Sequence, residues 1–353
     1  MTSNKIIRSI AALVGLACSL AAAIASANAD PVEKSEVTVA IGGTSAQFYF
    51  LPVVIADRLG YFKKEGLTVT FVDTGSGAKA LQALVSGGAE VAAGSFEHPL
   101  RMQARGRDVV AFVKFGRFHG NVLGIVPKHA KDYKSPADMK GWVVGVSAPG
   151  SSSYLFVTLL LAKQGLKAED VSFIALGQGA GGVAAVRTGK GLDALCLTDP
   201  TISELESSKD IVVVSDSRTL KGTIEAYGGD TISGVFYANA DFMKKNPQTI
   251  QALATGIVRA LAWMKTASLS DIMSKVPDSI IGGRPDFYKS VLEKNIENFQ
   301  HDGTFSEDAV ATTVNFMRKT DDEIRESKFD PAKAYINTYA KKANELIGAE
   351  RSR

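Results

Sequence analysis

Gly75-Ser76-Gly77-Ala78-Lys79-Ala80-Leu81-Gln82-Ala83-Leu84-Val85-Ser86-Gly87 and Gly177-Gln178-Gly179-Ala180-Gly181-Gly182-Val183-Ala184-Ala185-Val186-Arg187-Thr188-Gly189 read as two copies of one local plan. Gly-x-Gly matches Gly-x-Gly, Ala83-Leu84 matches Ala185-Val186, and Ser86-Gly87 matches Thr188-Gly189, all at a constant offset. Glycines at both ends and small apolar residues between them predict a tight turn, a short helix and a glycine stop. Glu90 and Asp193 then open the next apolar run, and Pro99 and Pro200 follow its end.

The plan extends outward on both sides. The first copy starts with the apolar run Val37–Ile41, a loop Gly42-Gly43-Thr44-Ser45-Ala46-Gln47, a helical run Phe48–Leu59 and a strand Leu67–Val72, and it closes with Glu90–Gly94. The second has Val143–Val146, the loop Gly150-Ser151-Ser152-Ser153, a helix Tyr154–Lys163, a strand Val171–Leu176 and a closing strand Leu192–Leu197. Short apolar strands alternating with helices predict mainly parallel sheets flanked by helices, an α/β architecture of two similar lobes. Val122–Pro127 and Ser233–Ala238 are apolar strands placed to cross between the lobes, and two crossings would form a hinge. The expected division is 36–124 with 237–345 for lobe 1 and 125–236 for lobe 2. Beyond Asn246-Pro247, Ile250, Leu253, Ile257, Leu261 and Met264 recur at helical spacing and begin a helical C-terminal extension.

The chain has 353 residues, 45% hydrophobic and 22% charged, which fits two globular domains and excludes disordered and disulfide-scaffold classes. A net charge of +3 gives no nucleic-acid footprint. Lys5 and Arg8, an apolar run Ile10–Ala25 and Ala27-Asn28-Ala29 have the order of a secretory signal peptide over 1–29, cut between Ala29 and Asp30. Cleavage would remove Cys18 and leave Cys196, so neither an intrachain disulfide nor a cysteine metal site is expected.

Chemistry is expected at the loops that follow the strands. Gly150, Ser151 and Ser152 precede a helix, where hydroxyls and free backbone N–H groups form an anion cradle; a plain N-cap is the simpler alternative. Gly43, Thr44, Ser45 and Gln47 offer the same in the first copy, with Phe48 and Tyr154 as aromatic walls. Ser95, Phe96 and Glu97 close a first-lobe strand, and Asp199 is the second-lobe counterpart. Arg117 and His119 precede the hinge, where Arg117 could meet a ligand anion. Gly177–Gly182 satisfies G-x-G-x-x-G, but the matching Gly75/Gly77 turn favours a shared structural turn over dinucleotide binding. The four histidines, His98, His119, His129 and His301, show no helical ligand spacing, so no metal and no catalytic residue is expected.

Ala56-Asp57-Arg58-Leu59-Gly60-Tyr61-Phe62-Lys63-Lys64-Glu65-Gly66-Leu67 resembles the A-x-x-x-G-Y/F-F-x-x-E-G-L hallmark of nitrate/sulfonate/taurine-type solute-binding proteins. Gly150–Ser153, Leu159–Leu166, Asp170-Val171 and Gly189 to Asp193-Ala194 are similar to that family's second-lobe pattern, and the resemblance spans 36–345. It implies a two-lobed periplasmic-binding-protein fold (type II-like) and a periplasmic, non-catalytic receptor without a cofactor. Such a receptor would act as a monomer, carrying a small organic solute of sulfonate or carboxylate type to an ABC permease and its ATPase. A pyrimidine-precursor or amine-bearing solute is the alternative. The same fold resembles fungal-type pyrimidine synthases, whose Cys-rich motif this chain lacks, which weighs against an enzyme.

Overall fold

A computed structural model describes residues 31–43, 48–177, 179–189 and 191–352. The expected signal segment with Ala29 and Asp30, and the loop residues Thr44, Ser45 and Gln47, lie outside the described residues.

The two copies become two five-stranded sheets with equivalent strand orders. In the first, β1 (Glu36–Ile41), β2 (Thr68–Asp73), β3 (Val91–Ser95), β4 (Val109–Lys114) and β10 (Gly234–Asn239) lie in the order β2-β1-β3-β10-β4. In the second, β5 (Val122–Ile125), β6 (Val143–Val146), β7 (Ser172–Ala175), β8 (Ala194–Leu197) and β9 (Val212–Asp216) lie in the order β7-β6-β8-β5-β9. The strands of each copy pair in parallel, Val39 opposite Val91 and Val144 opposite Ala194, because a helix connects each strand to the next. The returning strand enters antiparallel in each case, β10 between β3 and β4, β5 between β8 and β9. Both sheets are therefore mixed.

Each crossing strand is thus a full member of the sheet it enters. The connections are 115–121 and 217–233, and they pack on each other: Gly116 N–H donates to the Gly234 carbonyl (3.1 Å) and Ser233 N–H to the Gly116 carbonyl (3.3 Å). A Cβ on Gly116 would stand 2.7 Å from Ser233 Oγ, so the close approach of the two segments requires glycine there.

The duplicated turns have matching backbones. Gly75 and Gly177 have φ of 75° and 68°, and Gly87 and Gly189, after the helices, have φ of 78° and 60°. L-residues avoid that region, which explains the glycines at both positions of both copies. The helices between them, α1 (Gly77–Val85) and α2 (Ala180–Arg187), begin earlier than apolar periodicity alone predicts.

Helix α3 (Ser152–Ala162) is buried on most sides, with Leu155, Phe156, Val157, Leu159 and Leu161 all inaccessible. One face covers the second sheet and another meets the helix α4 (Glu307–Thr320). Phe316 and Met317 of α4 join a single apolar cluster with Phe96 and Leu100 of the first lobe and Leu155 and Phe156 of the second. The helical C-terminal region therefore packs against both lobes. Its first helix, Pro247–Met264, lies with Ile250, Leu253 and Ile257 in the core beside the first sheet. Among the described residues no helix is long and apolar enough to cross a membrane.

Candidate functional site

Parallel strands present their carboxyl ends and the following helix N-termini on one side of each sheet. Here those two sides face each other. Tyr49 and Phe50, Gly77, Gly94, Ser95 and His98 of the first lobe meet Ser147, Ser151, Ser152 and Thr198 of the second around a cavity of about 30 Å³. That volume holds a water or a head group of a few atoms.

The lining is marked by hydrogen bonds that are not made. His98 Nε2, Ser151 Oγ and Thr198 Oγ1 are buried and have no partner among the described residues. The Tyr49 hydroxyl lies near those of Ser95 and Ser233 but makes no well-directed hydrogen bond. A buried polar atom without a partner costs about 1–3 kcal/mol, so their convergence on one cavity, two from each lobe, marks a place for a polar ligand. Ser151 is the N-cap of α3, yet its hydroxyl does not cap the helix. It is left, with the free N–H groups of the first turn, for the cavity. In the first lobe Ser76, at the duplicated glycine turn, does cap its helix α1, accepting from Lys79 N–H.

Two glycines shape the first-lobe wall. A Cβ on Gly77 would lie 2.9 Å from His98 Cε1, and one on Gly94 would lie 3.2 Å from His98 Nδ1. The imidazole is held between them, and its Nδ1 is 3.1 Å from the Tyr237 hydroxyl. Burial lowers the His98 pKa to about 4, so the ring is neutral at physiological pH. Burial and the nearby Glu97 charge keep the Tyr49 phenol protonated by raising its pKa.

Of the residues expected from sequence, Ser95, Ser151 and Ser152 line this cavity. Gly150 and Tyr154 instead line a larger groove of about 870 Å³ that also reaches His98 and is edged by Arg101 and Asp321. Gly43 lies at the start of the first-lobe loop with φ 101°. Six others make their contacts elsewhere in the protein. Phe48 packs on Tyr288 (centroids 4.7 Å apart) and Phe96 on Phe305 (5.6 Å). Arg117 pairs with Asp230 (2.9 Å). Glu97 and His119 form a fully buried pair, Oε1 to Nε2 2.9 Å, with Ser95 Oγ donating to the other carboxylate oxygen. Burial alone would raise the Glu97 pKa; the His119 charge and these contacts outweigh it and hold the carboxyl below its ordinary value. Asp199 accepts from Ser203 N–H (2.9 Å) and Asn295 Nδ2 (2.8 Å), with Arg218 at 3.5 Å. Neither carboxylate lines the cavity.

His98, Tyr49 and Thr198 take the places beside those acids and Phe48. The strand-end motifs Ser95-Phe96-Glu97-His98 and Thr198-Asp199 did signal the region; which neighbour faces inward depends on how each helix leaves its strand. No group of three or more His, Cys, Asp or Glu side chains could hold a metal among the described residues.

Two lobes closing strand-end loops over a polar cavity is the architecture of a periplasmic binding protein. A protein of Bordetella bronchiseptica RB50 has the same fold, with a TM-score of 0.85, 44% identity, and coverage of 90% of this chain and 99% of that one. The alkanesulfonate-binding protein SsuA of Xanthomonas axonopodis pv. citri, bound to MOPS, has a TM-score of 0.69 at 18% identity, covering 87% and 99%. A family profile described as NMT1/THI5 like matches residues 47–267, and the chain belongs to that family. The 4-amino-5-hydroxymethyl-2-methylpyrimidine phosphate synthase THI11 of Saccharomyces cerevisiae is 24% identical over 217 residues, 60% of this chain and 62% of the yeast protein.

Proposed function

We propose that the chain is the periplasmic solute-binding receptor of an ABC importer. It closes its lobes on a small organic solute with a sulfonate or carboxylate end and delivers it to the permease and its ATPase. The observation that carries this reading is the convergence of Tyr49, His98, Ser151 and Thr198, with unmade hydrogen bonds, on one cavity between the lobes. The Ser151 N-cap adds the positive end of an eleven-residue helix, which favours an anion. An export signal over 1–29 and action as a monomer belong to the same reading. So does the division into lobe 1 at 36–124 with 237–345 and lobe 2 at 125–236.

Mass spectrometry of the compound retained after mild purification tests it, followed by thermal shifts with sulfonates, carboxylates and pyrimidines. A retained sulfonate or carboxylate, and stabilisation by the same class, are expected. The yeast relative's name gives a second reading, a pyrimidine synthase on this fold. Product formation by the purified protein would favour that reading and sink the receptor.

A further inference from the structure

The Tyr237–His98 contact decides more than the position of a ring. Tyr237 is fully buried on β10, and His98 Nδ1 is its hydroxyl's one hydrogen-bond partner among the described residues. A neutral imidazole has one donor nitrogen and one acceptor nitrogen. If Nδ1 carried the hydrogen, the Tyr237 hydroxyl would accept it and leave its own O–H buried without an acceptor. If Nδ1 is bare, the phenol donates to it, the O–H is satisfied, and the hydrogen sits on Nε2. The first arrangement leaves two buried groups unmet, the Tyr237 O–H and the bare Nε2; the second leaves only the Nε2–H, which faces the cavity, and is the less costly.

We infer that Tyr237 fixes His98 as the Nε2–H tautomer and so makes His98 a donor that reads an acceptor atom of the solute. This rests on the receptor reading above and narrows its ligand class. The hydroxyls of Tyr49, Ser151 and Thr198 can each donate or accept, whereas His98 Nε2–H only donates. The glycine clamp of Gly77 and Gly94 holds the ring where it is, so a ligand cannot gain an acceptor nitrogen by reorienting it. The solute atom at His98 is therefore a hydrogen-bond acceptor with a free lone pair, as a sulfonate or carboxylate oxygen is. An ammonium or amide N–H is disfavoured at that point. Tyr237 is a positioning residue; it acts through His98.

The test begins on the unliganded protein, with the ¹⁵N resonances of the His98 imidazole. The expected result is a protonated Nε2 and a bare Nδ1; a protonated Nδ1 overturns the inference. Tyr237→Phe should mix the tautomers, and an unchanged, pure Nε2–H tautomer in that variant would remove Tyr237 from its role. Binding is then measured by calorimetry with ethanesulfonate as the probe. Tyr237→Phe should weaken it by about tenfold. His98→Gln, whose amide nitrogen reaches the place of Nε2, should lose less than His98→Asn, whose amide ends at the place of Nδ1. Equal losses, or a His98 Nε2–H signal that does not move when ethanesulfonate saturates the protein, count against a donor at that atom. A protein that ignores ethanesulfonate while showing the Nε2–H tautomer contradicts the sulfonate class of the receptor reading and leaves the tautomer standing.

Discussion

The turn after β3 and the turn after β8 hold equivalent positions in the two lobes, and each carries one buried acid. After β3, Ser95 and His98 face the cavity while Glu97 turns to His119 on the connection between the lobes. After β8, Thr198 faces the cavity while Asp199 turns to Asn295, on a helix packed with the first lobe's core. The Asp199 carbonyl also accepts from Phe48 N–H across the cleft (3.1 Å). In both copies the carboxylate serves the joint between lobes and a neutral neighbour serves the cavity. The copies differ in what the acid does: Glu97 anchors the connection 115–121 through His119, whereas Asp199, beside its ion pair with Arg218 on the connection 217–233, ties one lobe to the other through Asn295. Duplication preserved the plan of the backbone and let the side chains divide the work.

The largest expected effect breaks the first-lobe pair. Glu97→Ala strands the buried His119, stacked on Tyr227, without its carboxylate partner. Losing one partner of a buried pair costs about 3–5 kcal/mol. Chemical denaturation should show a loss of that size; a loss under about 1 kcal/mol would mean the pair is not holding the connection.

Acid should expose the first lobe's histidine next. The folded-state pKa of His98, about 4, lies below its value in the unfolded chain, so the unfolded state takes up the proton first. Stability is complete above about pH 6.5 and falls as pH drops toward 4, by about 3 kcal/mol from this group. His301, also depressed by burial, adds a loss of the same sign. His98→Gln should therefore flatten the stability profile between pH 6.5 and 4 without abolishing its slope. A profile parallel to that of the unsubstituted protein would contradict a buried neutral His98.

Breaking the second-lobe acid should cost less and move more. Asp199→Ala loses hydrogen bonds to Ser203 and Asn295, worth about 1–3 kcal/mol, and the lobe-to-lobe tie with them, while Arg218 keeps Glu206 and Asp216 as partners. Small-angle X-ray scattering should show a larger radius of gyration than for Glu97→Ala at equal folded fraction. Equal radii would remove the distinction between anchor and tie.

The smallest effects are confined to the cavity. Ser151→Ala and Thr198→Val each remove one unpartnered hydroxyl, relieve its burial and leave the helix cap and core intact. Each should weaken solute binding by several-fold to about tenfold, read by calorimetry, with unchanged or slightly higher thermal stability. A fall in stability with no change in binding would place these hydroxyls outside the site.

Much of this was legible in the residues. The Gly75/Gly177 and Gly87/Gly189 matches announce a duplicated fold because a left-handed backbone position selects glycine whatever surrounds it. Apolar runs announce strands because a strand buried on both faces tolerates little else. The hallmark run Ala56–Leu67 and the loop Gly150–Ser153 announce the family. The antiparallel entry of β5 and β10 was not legible, because pairing depends on where a distant strand returns and not on its own apolar sequence.

The site divides in the same way. Sequence by itself pointed to the loops after the strands as the candidate site, since helix N-termini and small hydroxyl residues gather there. Only the tertiary structure decided which side chains those would be. Glu97 and His98 are adjacent in sequence, yet a helical turn begins at Glu97 and sends one toward His119 and the other between Gly77 and Gly94. Whether a carboxylate meets a solute or a partner 22 or 96 residues away in the chain is set by packing across the cleft, as with Glu97 to His119 and Asp199 to Asn295. Local sequence contains no term for that distance.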